Sequence, residues 1–314
     1  MTTILLTGGG GMVGRNVIDL CRERGIEVVA PRRAELDLRD YASTLRFVRE
    51  VRPDIVVHAA GYVGGIQANI REPVRFLTDN WDIGRNIVLA AREAGVTRLL
   101  NLGSSCMFPR NSPEPLKEED VLSGTLEPTN EGYALAKCAI ARLCSYVRRE
   151  DPSLLYKTMI PCNLYGRYDK FDPAVSHLVP AVIHKLHTAK RDGRPEVEIW
   201  GDGTARREFM YAGDLAEAIL FAVDRFAEMP DVLNVGLGED YSINEYYAVA
   251  AEVIGYTGHF VHDTTKPVGM MRKLLDVSRQ KAFGWQARTS LREGLAATYE
   301  FYLSSGAADA LSAR

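Results

Sequence analysis

Tyr133 and Lys137 stand four residues apart in Asn130-Glu131-Gly132-Tyr133-Ala134-Leu135-Ala136-Lys137, a spacing that puts both on one face of a helix. A free phenol keeps its proton to about pH 10, so a tyrosine that moves protons near neutrality needs a neighbour that favours the phenolate. An ammonium one turn away is such a neighbour. Alone, the pair reads more often as helix packing than as chemistry. Two other stretches change that balance.

The first is Thr3-Ile4-Leu5-Leu6-Thr7-Gly8-Gly9-Gly10-Gly11-Met12-Val13-Gly14-Arg15-Asn16-Val17, an apolar strand that runs through glycines into an amphipathic helix. Gly8 permits a tight turn, Gly11 lets backbone approach a pyrophosphate, and Gly14 lets the helix pack close on the strand. The second is Leu99-Leu100-Asn101-Leu102-Gly103-Ser104-Ser105-Cys106, an apolar run ending in hydroxyls and a thiol. Ligands of a parallel sheet sit at the carboxyl ends of its strands, so Ser104, Ser105 and Cys106 are placed to face a cofactor crevice.

The elements that must hold these groups alternate. Apolar runs near residues 4–6, 27–30, 55–58, 98–102 and 156–161 are separated by helical patterns such as 44–52 and 83–94. This alternation predicts an α/β fold, a doubly wound parallel (Rossmann) sheet with a smaller substrate-binding lobe. The expected division is a dinucleotide-binding domain over 1–165, joined by a returning strand near 232–236, and a region over 166–314 that is mainly the substrate-binding lobe. Residues 169–204 and those from 241 onward are less regular, and the small-residue tail after Ser304 is expected to fray.

Glycine loop, Ser and Tyr-x-x-x-Lys in this order resemble the extended short-chain dehydrogenases/reductases. Within them the chain is most similar to the GDP-L-fucose synthase family, the bifunctional epimerase/reductases of GDP-4-keto-6-deoxymannose. The matching stretches are Val63-Gly64-Gly65-Ile66, Gly103 to Cys106, Gly124-Thr125-Leu126-Glu127-Pro128-Thr129-Asn130-Glu131, Asn163-Leu164-Tyr165-Gly166, Ser176-His177, Trp200-Gly201 with Arg207-Glu208-Phe209, and Arg272-Lys273-Leu274-Leu275-Asp276. They span nearly the whole chain.

The resemblance implies an NADPH-dependent enzyme. Gly8, Gly11, Met12, Val13, Gly14, Ala59, Ala60 and Asn163 would line the cofactor site, with Asp37 and Leu38 near the adenine and Tyr133, Lys137 and His177 also touching the cofactor. Pro31-Arg32-Arg33 after the second strand favours NADP over NAD, since an arginine pairs with a 2′-phosphate where a carboxylate would take a ribose hydroxyl. Arg33 matches the family's phosphate position, whereas the arginine often found in the glycine loop is Gly10 here. Ser104 would bond the sugar C4 oxygen, Tyr133 would protonate it, and Lys137 would lower the tyrosine pKa and hold the ribose. Cys106 and His177 would form the base and acid that invert C3 and C5 beside the ketone. Ser105, Lys185, Trp200, Arg207 and Arg272 would hold the GDP-linked 4-keto-6-deoxy sugar. The family's Lys-Pro-Asp-Gly-Thr-Pro-Arg-Lys is Lys266-Pro267-Val268-Gly269-Met270-Met271-Arg272-Lys273 here. The expected carboxylate is absent, which brings GDP-4-keto-6-deoxyheptose and a pure 4-reductase into range.

Composition narrows the field. A chain of 314 residues, 46% hydrophobic, can bury a sizeable core, and a net charge of −3 offers no basic face for nucleic acid. The apolar Ile4-Leu5-Leu6 has no basic region before it and is too short for a signal peptide or a membrane span. Five scattered cysteines, Cys21, Cys106, Cys138, Cys144 and Cys162, fit reduced thiols in a cytoplasm. The six histidines show no metal-ligand spacing, so no metal is expected. A homodimer is implied by the family and by apolar faces on two long helices, 79–94 and 133–149.

Rival readings differ at named residues. A 4,6-dehydratase would carry Asp-Glu after the catalytic hydroxyl, where Ser105-Cys106 stands. A UDP-sugar 4-epimerase would need no Cys/His pair. A non-catalytic dinucleotide sensor would commonly have lost Tyr133 or Lys137, and both are present.

Overall fold

The computed structural model describes residues 2–172, 176–266 and 271–312. Five strands, β1 (Thr3–Thr7), β2 (Glu27–Val29), β3 (Ile55–His58), β4 (Arg98–Leu102) and β5 (Leu155–Pro161), join the later strand Val232–Val235 in one six-stranded sheet. All its pairings are parallel, and the order is Val232–Val235, β5, β4, β3, β1, β2. Near-continuous apolar strands are what such a sheet requires, because helices cover both faces. Successive side chains therefore divide between two cores. Ile4, Leu6, Ile55, Val57 and Leu100 enter one, and Leu5, Val56 and Leu99 enter the other.

Helices α1 (Met12–Arg24), α2 (Tyr41–Val51), α3 (Ile66–Arg71), α4 (Pro73–Glu93) and α5 (Glu131–Glu150) wind around this sheet. α4 and α5 pack side by side, and a β carbon at Gly84 would come within 2.1 Å of Ile140 Cδ1. From α6 (Leu178–Arg191) the chain builds a smaller lobe around Tyr165, Leu186, Ile199, Tyr246 and Tyr302. It then returns through α7 (Ala212–Asp224) and Val232–Val235 to the sheet core, where α7 lies against α1, before α8 (Ile243–Ile254) re-enters the lobe.

The region expected to be irregular is more ordered than its pattern implied. Strand Glu196–Trp200 pairs in parallel with His259–Asp263, and Asn163–Tyr165 with Phe209–Tyr211. The tail after Ser304 does not fray at once, since Ala307–Ser312 is helical and Ala308 is buried in the lobe core. Alanine's high helix propensity explains how so plain a sequence continues. The helix expected from 79 begins at Pro73, which takes the first helical position where its missing N–H costs nothing.

β2 lies on one side of β1 and β3 on the other, so the strand order reverses between β1 and β3. That is where an open α/β sheet forms its ligand crevice. Gly8 lies at its edge with φ +80°, and a β carbon there would meet the backbone of Ala59 and Ala60 at 2.6–2.7 Å. Gly14 is tighter still, since its β carbon would fall 2.2 Å from Gly8 O and 2.7 Å from Gly9 Cα. By contrast, a β carbon on Gly10 meets nothing within 4 Å. Gly14→Ala should therefore cost about 1–3 kcal/mol of unfolding free energy, while Gly10→Ala should stay within about 0.5 kcal/mol. Urea unfolding without added cofactor measures both, and equal midpoints for the two variants would disprove the close-packing account.

Candidate active site

The glycine loop closes with Gly11 N–H donating to Gly8 O at 3.0 Å. Met12 and Val13 open α1, and no side chain caps that helix end, so its first N–H groups face the crevice. Open space at Gly10, the tight turn at Gly8 and the uncapped helix form a cradle that fits a dinucleotide pyrophosphate. Across the crevice Thr7 Oγ1 and His58 Nδ1 are 2.7 Å apart, tying the ends of β1 and β3. Burial pushes the His58 pKa down to about 3, with the Lys137 ammonium adding to the shift, so His58 is a neutral structural residue.

The two arginines after β2 have different surroundings. Arg32 is held by Glu35 through Nη2–Oε1 at 2.6 Å and Nε–Oε1 at 3.0 Å. Arg33 is exposed and, among the described residues, forms no hydrogen bond or ion pair. It is thus the arginine available to a 2′-phosphate. Asp37, expected near the adenine, accepts from Arg39 Nη2 at 2.6 Å, and that hydrogen bond brings its carboxyl down to about 2. Leu38 is buried, and its carbonyl accepts from Asn86 Nδ2 at 2.8 Å.

At the end of β4, Ser104 adopts an extended backbone and caps a single 3-10 turn, Ser105–Met107. α5 presents Tyr133 and Lys137 to the same place. Lys137 is buried, its Nζ donates to Leu102 O at 2.9 Å, and it lies 5.8 Å from the centre of the Tyr133 ring. Cys106 packs in a small apolar cluster with Leu126, Ala134 and the Tyr133 ring. Ser104, Cys106, Tyr133 and Lys137 thus come together from two elements, with the buried Ser105 behind them.

Protonation states here follow burial more than charge. Desolvation holds the Tyr133 phenol well above its usual value, opposed by its hydrogen bond with Ser104. Lys137 itself is pushed down to about 8, chiefly by desolvation. The Cys106 thiol is raised by desolvation and lowered in part by the Lys273 ammonium.

His177 stands at the N-cap of α6 and is exposed, yet the protein around it and the charge of Lys170 lower its pKa. Among the described residues no hydrogen bond or ion pair joins it to Cys106. Asn163 Nδ2 donates to Glu208 O at 3.2 Å. Lys185 Nζ donates to the carbonyl of Glu198, whose carboxylate takes the Trp200 indole N–H at 2.8 Å. Trp200 is 59% exposed, which leaves an aromatic face open. Arg207 Nη1 donates to Arg206 O at 2.7 Å, and burial lowers its pKa. Arg272, expected at the diphosphate, is paired with Asp240 at 2.5 Å and with Glu114 at 3.4 Å, so its charge is largely compensated internally. Val268 and Met270 lie outside the described residues.

Lys273 was not among the expected site residues. Desolvation lowers its pKa, and its charge interacts first with Cys106, then with Arg207, Glu127 and Glu114. A half-buried lysine whose charge acts on a distant thiol is invisible in a linear motif where Arg272 was the more obvious phosphate ligand. Its sequence signal was its match to the lysine that ends the family's Lys-Pro-Asp-Gly-Thr-Pro-Arg-Lys segment. Among the described residues no group of three or more His, Cys, Asp or Glu is placed to hold a metal, and no helix is long and apolar enough to cross a membrane.

Comparisons with known proteins agree with this geometry. The model of the NAD dependent epimerase/dehydratase family matches residues 4–236. The chain is 51% identical to the GDP-L-colitose synthase of Yersinia pseudotuberculosis, over 96% of this chain and 98% of that one. It is 48% identical to the GDP-L-fucose synthase of Azorhizobium caulinodans, over 96% of each. Among solved structures, the GDP-mannoheptose C4 reductase from Campylobacter jejuni with NADP bound superposes with a TM-score of 0.87 at 29% identity, covering 96% of this chain and 98% of that one.

A buried thiol with a raised pKa holds little thiolate at neutral pH, and only the thiolate is alkylated. At pH 7.5, iodoacetamide should label Cys106 at least about 10-fold more slowly than a free cysteine of pKa near 8.5, and the rate should climb as pH rises past 9. Peptide mass spectrometry follows the label. Fast labelling of Cys106 at pH 7 would contradict the assigned protonation state.

Proposed function

Because the chain belongs to the NAD dependent epimerase/dehydratase family, and within it to the GDP-L-fucose synthases, we propose that it is an NADPH-dependent epimerase/reductase of a GDP-4-keto-6-deoxy sugar. The observation that carries this reading is the packing of Tyr133 against the Cys106, Leu126 and Ala134 cluster at the end of β4, with Lys137 Nζ 5.8 Å from the centre of its ring.

The residues divide the work by protonation state. Bound NADPH supplies a hydride to the sugar C4. Ser104 bonds the C4 oxygen, and Tyr133, kept protonated by burial, gives it a proton. Lys137, anchored on Leu102 O, holds the ribose side and is poised near pH 8 to replace that proton. For the epimerisation, the ketone acidifies the hydrogens at C3 and C5. His177 is neutral at neutral pH and can take a proton, while the Cys106 thiol can give one, and Lys273 beside it favours the thiolate when the roles reverse. Gly8, Gly11, Met12, Val13, Gly14, Ala59, Ala60 and Asn163 line the cofactor site in this reading. Arg33 takes the 2′-phosphate, and Asp37 and Leu38 border the adenine. Lys185, Trp200, Arg207 and Arg272 belong to the nucleotide side. The division at residue 165 into dinucleotide and substrate parts is part of the same proposal, with α7 and Val232–Val235 assigned to the sheet. Five free, buried cysteines support a cytoplasmic site.

The second reading is a 4-reductase, or an epimerase/reductase, of a GDP-4-keto-6-deoxyheptose, favoured by the likeness to a C4 reductase named for a mannoheptose. Turnover in D₂O separates a bifunctional enzyme from a pure 4-reductase, and kcat/KM for the hexose against the heptose substrate separates the sugars. The bifunctional enzyme should place deuterium at C3 and C5, Cys106→Ser should lose that label faster than NADPH oxidation of an already epimerised substrate, and Tyr133→Phe should lower reduction about 10²-fold or more with NADPH binding retained. Reduction in D₂O without deuterium at either carbon would overturn the epimerase and leave the reductase.

The same reading includes a homodimer. Ile66, Ile70 and Val74 are 59%, 52% and 73% exposed on α3 and α4, and Leu135 and Tyr146 are 41% and 48% exposed on α5. Gly132 of α5 lies against Pro73 and Leu77, which brings the two groups onto adjoining helices. So much exposed apolar surface is unusual on a monomer. Light scattering should give twice the chain mass, with Val74→Glu shifting the protein toward one chain mass. A wild type at the mass of one chain would refute the dimer.

A further inference from the structure

Tyr168 has φ +71°, in the left-handed region that a bulky residue rarely adopts. Such strain persists only where surrounding contacts over-determine it, and it gathers at functional positions. The contacts here come from α1, from the adjacent Arg167 and from the small lobe. The Tyr168 hydroxyl donates to Asp19 Oδ2 at 2.6 Å, and Arg167 Nη2 donates to the same oxygen at 2.9 Å and to the Tyr168 hydroxyl at 3.0 Å. The Arg15 guanidinium sits 4.2 Å above the Tyr168 ring, and that of Arg167 lies 5.2 Å from it. Buried Asn16 reaches from the first turns of α1 to Arg167 O at 3.2 Å while also donating to Met12 O at 2.9 Å. The ring also meets Phe301 edge to face, with centroids 4.9 Å apart.

Three parts of the molecule therefore meet at one side chain. Arg15 and Asn16 directly follow Gly14, in the helix turn that borders the pyrophosphate cradle. Arg167 and Tyr168 lie between Asn163 and His177 in sequence. Phe301 is on the last long helix of the small lobe, Leu291–Ser304. Tyr168 touches neither the glycine loop nor the Tyr133 group, so any influence on them must act through α1 and its own segment.

We infer that Tyr168 is a positioning residue that couples NADPH binding at the glycine loop to the small lobe, by clasping α1 at Arg15, Asn16 and Asp19 against Arg167 and Phe301. The inference rests on the reading of the glycine loop as the NADPH site and of the small lobe as the substrate-binding lobe. A clasp that holds both sides in their binding geometry should, when loosened, weaken the binding of both ligands.

The test compares wild type with Tyr168→Leu, which removes the ring and hydroxyl, Tyr168→Phe, which removes only the hydroxyl, and Asp19→Asn, on α1. NADPH Kd is read by nucleotide fluorescence without substrate, and KM and kcat for the sugar nucleotide at saturating NADPH. Tyr168→Leu should raise Kd and KM each about 5–10-fold, with kcat changed less than either. Tyr168→Phe should recover most of the loss, and Asp19→Asn should fall between them. If Tyr168→Leu does not fold, Asp19→Asn carries the same comparison. Variants that bind NADPH and substrate within twofold of wild type, even with a lowered Tm, would overturn the clasp. A wild type that does not bind NADPH would overturn the cofactor reading beneath it.

Discussion

The close approach of α1 to β1 is the constraint on which the rest of this structure depends. A side chain at Gly14 would drive a carbon into Gly8 O, and one at Gly8 would strike Ala59 and Ala60. Only this absence of β carbons lets the helix N-terminus stand directly over the point where the strand order reverses. The crevice and the exposed N–H groups at its edge follow from it. The Thr7–His58 contact then locks the two strands that flank the opening, and neutral His58 keeps that lock free of a charge that would oppose the nearby Lys137.

Around Tyr133 the competition is between burial and charge. Full desolvation shifts a pKa by up to about 3–5 units, whereas a neighbouring opposite charge contributes about 1–3. Burial prevails for both Tyr133 and Lys137. The phenol is held as an acid and the ammonium is brought toward neutrality. A general acid needs its proton at the working pH, so this balance suits the reductive direction better than a phenolate would.

The substrate side is arranged differently. Its basic groups are partly spent on the protein itself, Arg272 on Asp240 and Glu114 and Lys185 on the carbonyl of Glu198. Desolvation lowers the pKa of Arg207 and of Lys273, and an anionic nucleotide sugar beside them would favour their charged forms. The open face of Trp200, with Lys266 5.8 Å from its ring, offers a flat surface beside that charge.

The sequence by itself determined the features carried by local pattern. The strand, glycine loop and helix at the N-terminus, the helical spacing of Tyr133 and Lys137, and the hydroxyls at the end of β4 are short-range signals, because turn sterics and helix periodicity act over a few residues. The parallel sheet followed from their alternation. What only the tertiary structure decided depends on residues far apart in the chain. The pairing of Glu196–Trp200 with His259–Asp263 left no local trace, since parallel strands need no turn between them. Nor did the return of α7 to the sheet. Lys273 interacts with Cys106 from a distant part of the chain, Arg272 is ion-paired with Asp240, and Tyr168 holds a left-handed backbone against Arg15 and Asp19 on another element. Desolvation and long-range contact are properties of the packed molecule, so no reading of neighbouring residues contains them.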